Sequence, residues 1–116
     1  MKQILFLSSL VICILTTSCN KPCENEDPRA RIVNNGTDKA SVQIKTSGGS
    51  TENINNIESG QVSAWSSFAS GNTEFTVAVQ GMPGDTMIAV VMVDCWEYEI
   101  IIDATNQVSS LPAERD

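Results

Sequence analysis

The sequence contains no histidine. That removes imidazole from every role it fills: Ser-His and Cys-His couples, zinc ligation, and proton transfer near neutral pH. Aromatic residues are also few, with three Phe, two Trp and one Tyr in 116 residues. A domain this small buries only about 60–65% of its unfolded surface, so a thin core gains from a covalent staple. Basic residues number 7 against 14 acidic, a formal net charge of −7. Such a surface repels the phosphate backbone, which argues against nucleic acid as a partner. The patterns G-x-G-x-x-G, GxxxxGK[ST] and G-x-S-x-G do not occur, so neither a nucleotide cradle nor a nucleophile elbow is signalled. No cofactor is expected.

What is present begins with an address. Lys2 precedes an apolar run over residues 4–15, followed by Thr16-Thr17-Ser18 and Cys19. Charge, apolar stretch and small residues in that order describe a secretory signal. The run is too short to span a membrane as a helix, which takes about 20 residues. Small residues directly before a cysteine resemble the lipobox of bacterial lipoproteins. The resemblance implies cleavage after Ser18, lipid on Cys19, and membrane attachment through that lipid. Thr16 stands where many lipoboxes have leucine; ordinary cleavage to a soluble periplasmic protein is the alternative. The loss of Lys2 would take the net charge from −7 to −8. Residues 19–29 follow as an acidic tether with Pro22, Glu24, Glu26, Asp27 and Pro28, too polar to bury surface of their own. Their acidity also resembles the surface-export signal of Bacteroidota lipoproteins.

Four cysteines reduce to two, because Cys13 leaves with the signal and Cys19 carries lipid. Cys23 and Cys95 remain in an oxidising setting, where a disulfide between them is expected. A free Cys23 thiol, or one paired to another protein, is the alternative.

Residues 30–116 form a single domain of alternating segments broken by turn residues. Ile32 leads into Asn34-Asn35-Gly36, a hairpin signal. Val42 and Ile44 alternate with polar residues, and Ile54 and Ile57 mark a weaker strand. Val62, Ala64 and Phe68 share a parity. Phe75, Val77 and Val79 give the clearest period of two in the first half. Gly81-Met82-Pro83-Gly84-Asp85 is a turn. The unbroken apolar run from Met87 to Val93 predicts a central strand covered on both faces. Trp96, Tyr98, Ile100 and Ile102 share the next core face, after a tight reversal at Asp94-Cys95. Val108 to Leu111 adds an edge. Seven to eight short strands without a helical period predict an all-β fold, a small antiparallel β-sandwich that is immunoglobulin-like or similar.

Three stretches, ARIVNNGTDKASVQIKTSGG, IESGQVSAWSSF and CWEYEIIID, resemble small Bacteroidota-type lipoproteins. Gly60, Ser63, Trp65 and Phe68 carry the second of these, with tyrosine more usual than Trp65. The Asp94-Cys95-Trp96 segment departs from the likeness, which expects a longer polar connection there. The likeness implies a fold and an outer-membrane location, periplasm-facing or at the cell surface. It implies no chemistry.

Candidate chemistry is sparse. Glu97 and Glu99 share a strand face about 6–7 Å apart, within the range used in glycoside hydrolysis. A pair on one strand points one way, however, and cannot flank a bond, so a solvated strand face is expected. Glu24, Glu26 and Asp27 lack the D-x-D-x-D-G calcium loop, and two thiols alone make no metal site. Trp65 lies between Ser63 and Ser67 on its face. It either stays exposed as a contact for a sugar or a protein, or turns inward at a bulge. Asp85-Thr86-Met87 resembles the O-glycosylation signal of exported Bacteroidota proteins, with Thr86 as acceptor. The expectation is a non-enzymatic, lipid-anchored protein with a binding or structural role. Two alternatives stand beside it: an acidic inhibitor of a cationic enzyme such as a lysozyme or protease, and a carbohydrate-binding module using Trp65.

Overall fold

A computed structural model describes residues 22–115; the signal, Cys13 and Cys19 lie outside the described residues. Eight strands run in chain order: β1 (Arg29–Asn34), β2 (Ala40–Lys45), β3 (Thr51–Ile57), β4 (Ser66–Ser67), β5 (Gly71–Val79), β6 (Thr86–Met92), β7 (Trp96–Ile102) and β8 (Val108–Glu114). They form two four-stranded sheets, β4-β1-β7-β8 and β3-β2-β5-β6. The protein is an all-β sandwich. Every pairing is antiparallel except that of β1 with β7, which run parallel from Arg29 beside Glu97 to Asn34 beside Ile102. Among the described residues no helix is long and apolar enough to cross a membrane.

Alternation places the core as the period of two requires. Ala30 and Ile32 of β1 point inward with Tyr98, Ile100 and Ile102 of β7. From the other sheet come Ala40, Val42 and Ile44 of β2 and Phe75, Val77 and Val79 of β5. Phe68 meets Phe75 edge-to-face at 6.4 Å between ring centroids, the arrangement aromatic quadrupoles favour. The buried Tyr98 hydroxyl accepts a hydrogen bond from Val93 N at 2.9 Å, tying β7 to the end of β6.

Three expectations are corrected. Asn34-Asn35-Gly36 is not a hairpin turn, because β1 and β2 belong to different sheets. The chain reverses there while crossing the sandwich, and Asn34 is buried at the crossing. β6 is not a central strand: it forms the edge of its sheet, with Met87, Val91 and Val93 exposed. An apolar run reveals what a strand contains and not what covers it.

The third correction concerns Val62 to Phe68. Residues 61–68 follow β1 as a broken edge strand. Asn34 N donates to Gln61 O, Ser63 N to Ile32 O and Phe68 N to Pro28 O. Between these bonds the ladder fails at Ala64-Trp65, as in a bulge. The Ser63 hydroxyl accepts the Ile32 N–H at 2.9 Å, replacing a backbone acceptor. Parity therefore shifts across the break: Val62 and Ala64 are exposed while Phe68 is buried.

Gly36 is buried where the crossing meets the loop after β7. A Cβ at this position would collide with Asn106 Oδ1 and stand 3.0 Å from Ile102 Cγ2. Asn106 cannot yield freely, because the same Oδ1 accepts the Thr37 N–H at 3.0 Å. Gly36→Ala is expected to cost about 1–3 kcal/mol by overpacking, read as a lower midpoint in urea with unchanged slope.

Candidate functional site

Two places gather the residues singled out from the sequence. The first lies at the end of the sandwich where β1 and β7 begin. Cys23 and Cys95 are joined in a disulfide, with Cα atoms 5.8 Å apart. Cys95 occupies the left-handed region at φ 67°, which lets the chain step from β6 to β7 in three residues. The same end holds the amino-terminal segment by polar bonds. Cys95 N donates to Glu26 O, and Arg115 N donates to Cys95 O. The Arg115 guanidinium reaches Asp27 O at 3.0 Å and Glu26 Oε1 at 2.8 Å. Pro28 is buried. The acidic stretch expected to be a tether is therefore laid against the domain from Cys23 onward.

The second place is the outer face of the β4-β1-β7-β8 sheet. Parallel register sets Arg29 beside Glu97 and Arg31 beside Glu99, all pointing away from the core. Arg29 Nη2 reaches Glu97 Oε1 at 2.7 Å, and Arg31 pairs likewise with Glu99 Oε2. The bulge swings Trp65 across this row, with the two guanidinium carbons 4.5 and 4.4 Å from its ring. The expected solvated glutamates are thus ion-paired, and Trp65 neither enters the core nor stands clear in solvent: it is half-buried on two arginines. Each carboxylate is committed to a cation, and both project from one strand.

Sequence reasoning passed over Arg29 and Arg31. The signal was legible in RARI beside WEYE, two alternations of opposite charge. What the sequence lacked was the register that brings them together.

No protein-family model and no curated protein matches this chain.

Among the described residues, no group of three or more Cys, Asp or Glu side chains is placed to hold a metal ion. A hollow of about 70 Å³ lies under the turn after β5, lined by Val77, Val79, Met82, Pro83 and Thr86. Thr86 is exposed at the start of β6, beside this turn. Wider, open hollows of about 310 Å³ lie on the outer face of the β3-β2-β5-β6 sheet, one of them lined by Ser41, Gln43, Asn53, Asn55 and Thr76.

Two further results bear on these features. Exposed ion pairs contribute about 0.2–1 kcal/mol and cation–π contacts about 0.5–1 kcal/mol each, and the arginine side chains here are 34% exposed. Trp65→Ala is therefore expected to cost about 1–2 kcal/mol, measured by chemical unfolding, and to raise protease sensitivity in residues 61–68. At the far end of β7, Gln107 N, Thr105 Oγ1 and Thr105 N all donate to Asp103 Oδ1. These bonds, that from Gln107 foremost, hold the Asp103 carboxyl below its ordinary range. The carboxylate's contribution is complete above the unfolded value near pH 4 and lost as pH falls through the lower folded value. A stability titration from pH 7 to 2 should show this acid limb, and Asp103→Asn should flatten it.

Proposed function

We propose that the protein is a non-enzymatic, lipid-anchored envelope protein whose sandwich is held close to the outer membrane for a binding or structural role. The observation that carries this reading is the Cys23–Cys95 bond. A disulfide belongs to an oxidising compartment, in keeping with export behind the lipobox-like signal. Its position matters as much as its presence. From Cys19 to Cys23 the chain spans at most about 14 Å when extended, so lipid on Cys19 would leave the domain little reach. The ion-paired outer face, with Trp65 laid across Arg29 and Arg31, fits a protein that works by contact.

Growth with an alkyne-tagged palmitate tests the anchor. Label is expected on the wild-type chain and on Cys13→Ser, and is expected to vanish from Cys19→Ser. Label that persists in Cys19→Ser, or an unlabelled wild type, overturns the reading. Protease added to intact cells, with a periplasmic protein as control, then separates an outward-facing domain from an inward one.

A second reading, capture of a cationic enzyme, draws support from the charge distribution. Of the described cations, Arg29, Arg31, Lys39 and Arg115 already bridge to glutamates. The remaining field is acidic, and it would steer a basic partner with strong salt dependence. Binding to a basic lysozyme at low salt that is lost near 0.5 M would favour it; indifference to salt removes it.

A further inference from the structure

Of the asparagines in the chain, only Asn35 is followed by glycine. That pair carries a reaction of its own, because glycine has no Cβ to keep its nitrogen away from the preceding side chain. Once base has removed its proton, Gly36 N can attack Asn35 Cγ. The N–Cγ bond forms, the Cγ–Nδ2 bond breaks, and Nδ2 takes up a proton and leaves as ammonia. Water then opens the cyclic imide at either carbonyl, leaving aspartate or isoaspartate in place of Asn35. Asn35 itself is exposed, so water reaches the group under attack. The attacking group is withheld: Gly36 is buried, and its N–H is donated to Asn34 Oδ1 at 2.9 Å. The nitrogens on either side are held as well. Asn35 N donates to Ile102 O at 2.8 Å, and Thr37 N to Asn106 Oδ1 at 3.0 Å.

We infer that Asn35 is a deamidation site gated by Asn34. Before the imide can close, hydroxide must reach the Gly36 proton, and Gly36 N must turn toward Asn35 Cγ. Burial of Gly36 prevents the first. The hydrogen bonds of Asn35, Gly36 and Thr37 prevent the second. Gly36 has little room to shift, since Asn106 Oδ1 and Ile102 Cγ2 crowd the space beside it. Local opening of the crossing removes both obstacles at once, as it does for hydrogen exchange at the same nitrogen. Isoaspartate adds a backbone atom between buried Asn34 and buried Gly36, which works against reclosing. A chain that has stood open at this crossing therefore keeps a covalent record of it.

The test incubates the full chain, disulfide intact, in mildly alkaline buffer and follows the tryptic peptide of residues 32–39 by mass spectrometry. Conversion of Asn35 is expected to run at least about tenfold slower in the folded protein than in urea above its unfolding midpoint. Asn34→Ala is expected to convert about tenfold faster than wild type under folding conditions, in step with hydrogen exchange at Gly36 N. Exchange at the amide of Phe75, in the core of β5, reports global opening for comparison. Trp65→Ala, destabilised with the crossing intact, should convert near the wild-type rate. Urea below the midpoint opens the gate without a substitution, and conversion and Gly36 exchange should then rise together in the wild type. Folded wild type that converts as fast as the unfolded chain overturns the inference, as does conversion that fails to follow Gly36 exchange. So does an Asn34→Ala chain whose conversion rises no more than its Phe75 exchange, or is matched by Trp65→Ala, because global stability alone would then set the rate.

Discussion

Replacing both Cys23 and Cys95 by serine is expected to lower the stability of the domain by about 4 kcal/mol. The bridge joins residues 72 apart in sequence, and on the loop-entropy model a closed loop of that length removes about 4 kcal/mol of unfolded-state freedom. A domain of this size is stable by only about 5–14 kcal/mol in total, so a large fraction rests on one bond. At 4–8 °C per kcal/mol the melting temperature should fall by roughly 15–30 °C. The loss should be graded along the chain. Phe68 N still donates to Pro28 O without the bridge, so Pro28 stays seated while residues 23–27 loosen. Thermal unfolding with and without reductant checks the size of the effect, and hydrogen exchange at Cys95 N checks the loosening. A fall of less than about 5 °C would assign the stability instead to the polar bonds of Arg115.

The second large effect is expected at Asn34. Its side chain is fully buried and uses three hydrogen bonds at the crossing between sheets. Nδ2 donates to Asp38 O at 2.9 Å and Ile57 O at 2.8 Å, and Oδ1 accepts the Gly36 N–H at 2.9 Å. One amide thus ties the end of β1, the crossing loop and the end of β3. Asn34→Ala removes it and leaves backbone groups without partners, at about 1–3 kcal/mol for each that stays dry. A loss of about 3 kcal/mol is expected in urea unfolding. Asn34→Asp should be no better, since it keeps the acceptor but aims a carboxylate at two carbonyl oxygens. Rescue to within 1 kcal/mol by Asp would refute this account of the two donated bonds.

The contrast between Asn34 and Phe75 shows what the sequence made legible. Phe75, Val77 and Val79 alternate with polar neighbours, and their burial follows from the pleat alone, with no knowledge of what lies opposite. Tyr98, Ile100 and Ile102 were readable for the same reason. Asn34-Asn35-Gly36 announced a reversal, and the chain does reverse there. Whether a reversal closes a hairpin or crosses to the other sheet depends on distant partners such as Ile57, which no local pattern names. β6 failed similarly, because seven apolar residues look alike in the middle of a sheet and at its rim. Trp65 escaped both alternatives because its surroundings are set by the Arg29 and Arg31 row, on a strand more than thirty residues away.

The cysteine pair was the part of the candidate site most open to sequence reasoning. With Cys13 and Cys19 read as part of an export signal, two thiols were left, and the oxidising address that signal implies made their union the expected chemistry. For the Arg29–Glu97 and Arg31–Glu99 pairs only the alternating charges were legible, since parallel register between β1 and β7 is information of long range.

That parallel seam has a consequence in time. β1 is the first strand to be made and β7 the last but one, so Arg29 waits for Glu97. Until Trp96–Ile102 exists, β1 has only the short segment through Ser66 and Ser67 beside it. A nascent chain truncated before Trp96 should therefore leave β1 open to protease. The β4-β1-β7-β8 sheet forms only when the polypeptide is nearly complete, and pairings between such distant residues belong to the slow regime of milliseconds to seconds. A chain with this order of assembly holds its first strand without its long partner for most of its synthesis.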